Sequence, residues 1–333
     1  MTPLTYMKKN TMQGSILKKW FLCAVITGCG YVTTFAQQDM QYTQYLFNYL
    51  VVNPAYAGYK EATNLQAFSR MQWVGVNGAP NVYSLSVDGT AAAGDVVGWG
   101  TQLINEQRGA NNLISLFGTY AFRLRLNQRD DRLSFGLSAG VTQWQLNRSK
   151  LITDNSGVSD NLYMYYTRPE WRPDFRVGVY YNTPFLYAGV SATNLFANFS
   201  GDIRVPHLYV SAGGFIPLSN SIGLKPSFIY RNDFKGPGNL DVNLLALLLK
   251  QLWVGVTYRT GIYIGQIKAT EVETVQTTNA LAFMIELFVI KNVQIGYSYD
   301  LSVSGVGWPG SHEISFSYII PKKRTRQSTP RYF

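Results

Sequence analysis

Cysteine is almost missing from this 333-residue chain: Cys23 and Cys29 both fall within the first thirty positions. The remainder therefore cannot carry a disulfide framework. Histidine is equally scarce, and His207 with His312 cannot supply a three-ligand zinc site. His312-Glu313-Ile314-Ser315 also lacks the second histidine of a metalloprotease helix. No Walker-type loop, dinucleotide fingerprint or metal-spaced carboxylate cluster occurs, so no cofactor is expected and the chain does not read as an enzyme. Long hydrophobic runs are absent too. Beyond the first 36 residues none is longer than the run at positions 244–249, far short of the roughly 18 residues of a spanning helix. A membrane protein of this composition has to be a closed barrel, because backbone groups in lipid must pair internally.

The N-terminus reads as an export signal over residues 1–36. Lys18-Lys19 precedes an apolar run from Trp20, and Thr34-Phe35-Ala36 offers a small-residue cleavage site before Gln37. Ile26-Thr27-Gly28-Cys29 resembles a lipobox, so lipid attachment at Cys29 is the alternative to cleavage after Ala36. The stretch before Lys18 is long for such a signal, and translation from Met12 would shorten it. The formal charge of +10 includes four leader lysines; without them 25 basic residues face 19 acidic ones, a net of +6. Lys322, Lys323, Arg324, Arg326 and Arg331 hold most of what remains. This basic tail, residues 322–333, is either a periplasmic docking site for an acidic partner, with Lys322, Lys323, Arg324 and Arg326 as candidates, or a solvated end. A nucleic-acid partner is not expected, since leader and tail carry the excess.

What is abundant is alternation. Leu133, Phe135, Leu137, Ala139 and Val141 interleave with Ser134, Gly136, Ser138, Gly140 and Thr142. Successive strand side chains point to opposite faces, so one wall is apolar and the other polar. The pattern returns around Leu116 to Leu124 and around Ile295 to Leu301. About fourteen strands are expected over residues 62–321, starting near 62, 82, 94, 112, 132, 173, 185, 205, 222, 239, 251, 278, 292 and 311. Every second connection is short, and the others, including 105–111, 148–172 and 261–277, are longer. Short periplasmic turns, long surface loops and an even strand count identify an all-β transmembrane antiparallel β-barrel of an outer membrane. Tyr at 23 and Phe at 18 suit the aromatic girdles of such a wall.

Gly136-Leu137-Ser138-Ala139-Gly140 has the spacing of a nucleophile elbow, but Ser138 lies in the cleanest period-2 strand with no helix after it. Small residues on an inward row explain it. Strand phase also places Arg123, Arg125, Arg176, Lys225, Arg231, Arg259, Glu286, Asp300 and Glu313 toward the lumen, since lipid-facing Arg or Lys costs about 2–4 kcal/mol. Two readings stay open: the charges pair across the wall, or they polarise the interior and orient an inserted peptide. The tenth strand is apolar on both faces at positions 244–249, so its inner face needs a covering. The aromatic segment 37–61, either periplasmic or inside the barrel, offers one through Tyr42, Phe47, Asn53, Pro54 and Tyr56; part of a partner is the other candidate.

That segment carries a resemblance. Gln38-Asp39 through Gln44, Phe47-Asn48 and Asn53-Pro54-Ala55-Tyr56-Ala57-Gly58 look like the opening of the PorP/SprF family. The likeness continues in Arg70-Met71-Gln72-Trp73-Val74-Gly75, in Ile295 to Asp300, in Ser311-His312-Glu313-Ile314 and in Pro330 to Phe333. Met40 and Tyr49 stand where the family pattern has prolines. The resemblance implies an outer-membrane barrel of the type IX secretion and gliding apparatus of Bacteroidota. It further implies cargo proteins with C-terminal sorting domains, exported or anchored at the surface, and periplasmic lipoprotein components as partners. The alternative function is a passive porin or small-solute channel.

Overall fold

The computed structural model describes residues 41–91, 95–147, 169–197, 204–235, 237–262, 279–304, 307 and 309–321. The expected leader, most of the connections over 148–172 and 261–277, and Lys322, Lys323, Arg324 and Arg326 lie outside the described residues.

The chain from Thr63 onward is a succession of antiparallel strands: β1 (Thr63–Met71), β2 (Asn81–Thr90), β3 (Val97–Arg108), β4 (Asn111–Arg125), β5 (Arg132–Leu146), β6 (Glu170–Asn182), β7 (Leu186–Thr193), β8 (His207–Gly214), β9 (Ile216–Pro217), β10 (Ile222–Asn232), β11 (Gly238–Leu248), β12 (Leu252–Ile262), β13 (Ala280–Ile290), β14 (Val293–Ser302) and β15 (Ser311–Ile320). Neighbours in sequence pair with one another, and β1 pairs with β15 from Thr63 opposite Ile320 to Met71 opposite His312. The sheet therefore closes. The two-residue β9 is not a separate wall strand. It keeps the register that β8 sets on β10, with Ser227 opposite Gly213 and Gly223 opposite Pro217. β8 and β9 are one strand interrupted at Phe215, and the barrel has fourteen.

The alternation sorts side chains as the sequence expects. On β5, Phe135, Leu137 and Val141 are exposed on the outer face, while Ser134, Ser138 and Thr142 are buried within. Ser138 exchanges a 2.6 Å hydrogen bond with Thr119 of β4, a strand-interior role. Among the described residues no helix is long and apolar enough to cross a membrane; the crossing elements are strands.

Connection lengths follow the expected parity with one correction. Residues 105–111, read as a long loop, are almost entirely strand: Arg108 pairs with Asn111 across a two-residue turn of Gly109 and Ala110. Gly109 takes a left-handed φ of +57°, which lets β3 and β4 run to their full length. The polar run Asn105 to Arg108 lowered the apparent strand content there; Glu106 and Arg108 fall on the inward row, and Asn105 and Gln107 on the outward row beside the turn. Both ends of the wall, Thr63 and Ile320, lie at the short-turn rim, which is periplasmic in barrels of this kind.

Candidate functional site

Residues 43–60 fill the lumen. Three short 3-10 turns, η1 (Gln44–Leu46), η2 (Tyr49–Val51) and η3 (Pro54–Tyr56), fold the segment into a compact plug. Local chemistry shapes η3: the Asn53 side chain accepts from the Ala55 amide at 2.9 Å, and Pro54 pre-sets the first turn position. The plug then exits through Gly58, whose φ of +75° suits only glycine without strain.

The plug is tied to strands around most of the barrel. At the long-loop end the Thr43 and Gln44 amides each donate to the Glu313 carboxylate of β15 at 2.8 Å, and Thr43 Oγ1 donates to Asp300 of β14 at 2.8 Å. Asn243 of β11 donates to the Tyr45 hydroxyl at 2.7 Å, Ser191 of β7 to the Val52 carbonyl at 2.7 Å, and Asn53 Nδ2 to the Val179 carbonyl of β6 at 3.0 Å. Gln66 of β1 reaches the Phe47 carbonyl, and Tyr49 meets Ser211 of β8. Lower down, the Gly58 amide donates to Asp88 of β2 at 3.0 Å. Satisfying buried backbone groups this way avoids about 1–3 kcal/mol for each.

Seating also depends on what the wall lacks. A Cβ added at Gly98, Gly136 or Gly178 would overlap Ala57, the Pro54–Ala55 backbone or the Asn53 side chain. The Gly-x-Ser-x-Gly stretch is thus part of a bed for η3. Tyrosines complete the fit. Tyr49, Tyr56 and Tyr59 of the plug pack on Tyr180 and Tyr187 of the wall, with Tyr56 stacked on Tyr59 at 4.8 Å between centroids. Burial pushes the Tyr45, Tyr49 and Tyr56 hydroxyls well above the ordinary tyrosine pKa.

The apolar inner face of the tenth wall strand, β11, is now accounted for. Leu245 and Leu247 are buried in one cluster with Tyr45, Leu46, Tyr49 and Leu50, while Leu244 faces outward.

Most of the predicted inward charges are paired rather than segregated by sign; Lys225 and Glu286 make no ion pair among the described residues. Arg70 bridges Glu313 and, at 2.9 Å, Asp300; Arg259 bridges Asp300 at 3.4 Å and Asp241 at 2.9 Å; Arg231 closes on Asp241. Three guanidinium groups and three carboxylates alternate beneath Thr43 and Gln44. At the other end Arg123 and Arg132 hold Glu61 at 3.2 and 3.0 Å, just where the plug turns into β1. Arg176 stacks 3.6 Å from the Phe117 ring and donates to Gln102 at 3.3 Å. Arg125 is the correction among these positions. Its side chain is 40 % exposed and donates to the Asn127 and Gln128 carbonyls, so it ties the β4–β5 turn at the rim instead of facing the lumen. Strand phase holds for Arg125, but the strand has reached the barrel's edge.

Sequence reasoning passed over Arg70, Asp88, Asp241, Glu61, Arg132 and Lys60. Parity was the available signal for Asp241, which alternates with Asn239 and Asn243 on one inward row. Among the described residues no group of three His, Cys, Asp or Glu side chains is arranged to hold a metal.

The family described as "Type IX secretion system membrane protein PorP/SprF" matches residues 34–318. No curated protein matches the chain. Among solved structures, the TodX deltaS2S3 mutant monoaromatic hydrocarbon channel is similar with a TM-score of 0.47 and 10% identity, covering 81% of this chain and 93% of that one. Acinetobacter baumannii outer membrane protein Omp33 aligns with a TM-score of 0.45 and 9% identity, over 78% and 98% of the two chains. The KdgM porin in complex with disordered oligogalacturonate aligns at 0.35 and 8% identity, over 77% and 98%.

Proposed function

Because this chain belongs to the PorP/SprF family of type IX secretion membrane proteins, we propose that it holds exported cargo at the cell surface as a self-plugged barrel and does not conduct solutes. The coarse role, an outer-membrane component of type IX secretion, comes with the family. The single observation that carries the finer reading is the plug. A segment hydrogen-bonded to strands from β1 to β15 and seated on wall glycines occupies the space an open channel would need. Cargo with a C-terminal sorting domain then engages the long-loop rim, not the lumen, and periplasmic lipoproteins of the machine engage the short-turn rim. Neither surface needs the barrel to open.

Purified protein in planar bilayers should be electrically silent; a steady open pore would favour the porin alternative. Deleting the gene should strip sorting-domain cargo from the cell surface. Unchanged surface cargo would overturn the anchoring role while leaving the barrel and its family intact.

A further inference from the structure

At the short-turn end the plug leaves one recess unfilled. A cavity of about 50 Å³ lies beneath Tyr56, Tyr59 and Tyr180 and is rimmed by Phe185 of the β6–β7 connection and Leu186 at the start of β7. Three charged side chains line it: Lys60 from the plug, Lys225 on β10 and Glu286 on β13. Among the described residues no ion pair joins them. Lys60 Nζ has only Asn64 Oδ1 at 3.5 Å, and Lys225 Nζ stands 5.6 Å from the Trp253 ring centre. Two polar atoms of the lining residues are buried without a hydrogen-bond partner, Glu286 Oε2 and Trp253 Nε1, on residues 2% and 1% exposed. Buried polar groups are rarely left this way in a finished structure.

The donor set defines the missing ligand. Two ammonium groups and an indole N–H share the recess with a single carboxylate, so it is short of one negative charge, and one carboxylate cannot serve all three donors. We propose that it binds a carboxylate of a periplasmic polypeptide. The carboxylate accepts from Lys60, Lys225 and Trp253, and Glu286 supplies the counter-charge for the second ammonium. The apolar rim of Phe47, Phe185, Leu186 and Phe215 covers the carbon body of the residue that carries it. A planar two-oxygen group suits three donors and this small volume. A phosphate dianion would bring more charge than the lysines can balance beside Glu286. The proposal goes beyond the cargo reading and does not depend on it, because the recess opens at the opposite rim.

The test uses the purified full barrel in detergent and ligand-observed saturation-transfer NMR. N-acetyl-glycyl-phenylalanine is compared as free acid and as C-terminal amide. The acid should bind and the amide roughly tenfold more weakly, the loss expected when charge-assisted hydrogen bonds go. Lys60→Gln and Lys225→Gln should each weaken the acid about tenfold and leave the amide unchanged. If Lys60→Gln disturbs the plug, Lys225→Gln on the wall strand decides alone, with heat-modifiability as the fold control. Equal binding of acid and amide, or unaltered acid binding in Lys225→Gln, overturns the site. Binding of phenyl phosphate without binding of the acid overturns the polypeptide assignment.

Discussion

Replacing Gly136 with leucine should unseat the plug while sparing the wall. A Cβ at this inward position would overlap the backbone of Pro54 and Ala55. Neither side yields easily. β5 is paired on both edges there, with Ala121 of β4 and Gly178 of β6. Ala55 is fixed by the Asn53 cap, and Asn53 is itself held by the Val179 carbonyl at 3.0 Å. Overpacking of this kind costs about 1–3 kcal/mol, and overlap with backbone belongs at the upper end. That free energy falls on the docked state alone, since with the plug displaced the leucine points into open lumen. The undocked population should rise about 5- to 150-fold. In planar bilayers the wild type should be silent and the variant should show intermittent conductance, with unchanged heat-modifiability. Gly118→Ala is the control: on outward-facing β4 positions its Cβ would come no closer than 4.0 Å to any neighbour. A folded Gly136→Leu barrel as silent as the wild type would refute the argument. Loss of the folded barrel would refute the independence of wall and plug.

Three further outcomes follow from the same geometry. Glu313→Gln removes the charge opposite Arg70 and turns one of the two oxygens that accept from Thr43 and Gln44 into an N–H donor; it should cost about 3 kcal/mol, the low end for breaking a buried pair because Asp300 still faces Arg70, and a lower heat-modification temperature checks it. Tyr45, Tyr49 and Tyr56 keep raised pKa values when docked, whereas exposed tyrosine ionises near about 10, so docking is at full strength below that pH and is lost as pH climbs past it. Each hydroxyl contributes about 1.4 kcal/mol per pH unit above about 10, so conductance should appear near pH 11; plug contacts unchanged there by hydrogen exchange would contradict the burial. Asn77→Cys, in the exposed β1–β2 connection at the long-loop end, should react with an impermeant maleimide on intact cells, and Gln128→Cys at the opposite rim should not; the reverse pattern would invert the barrel.

The tyrosine-rich segment shows where legibility in the sequence thins out. Its aromatic content and the double-faced leucines of β11 both pointed to a filled lumen, because apolar side chains on two faces of one strand need two coverings. Nothing local said which wall residues would receive it. The Asn53 side chain caps its own turn at Ala55 yet also reaches Val179 and Val190, more than 120 positions away. Arg125 failed for a related reason. Parity gives the face of a strand but not the height at which that strand leaves the barrel.

The sequence by itself determined the wall: strand number, strand phase, rim assignment and the greasy exterior. These are properties of period-2 alternation and of hairpin connections, in which each strand pairs mainly with its neighbour in the chain. The tertiary structure alone decided the partners of the lumen. Thr43 meets Glu313 across 270 positions, and Arg70 falls between Glu313 and Asp300 only because β1 closes on β15 in one particular register. Charge type is written in the chain, but which charges meet depends on closure, stagger and the path of the plug, and these exist only once the barrel has formed.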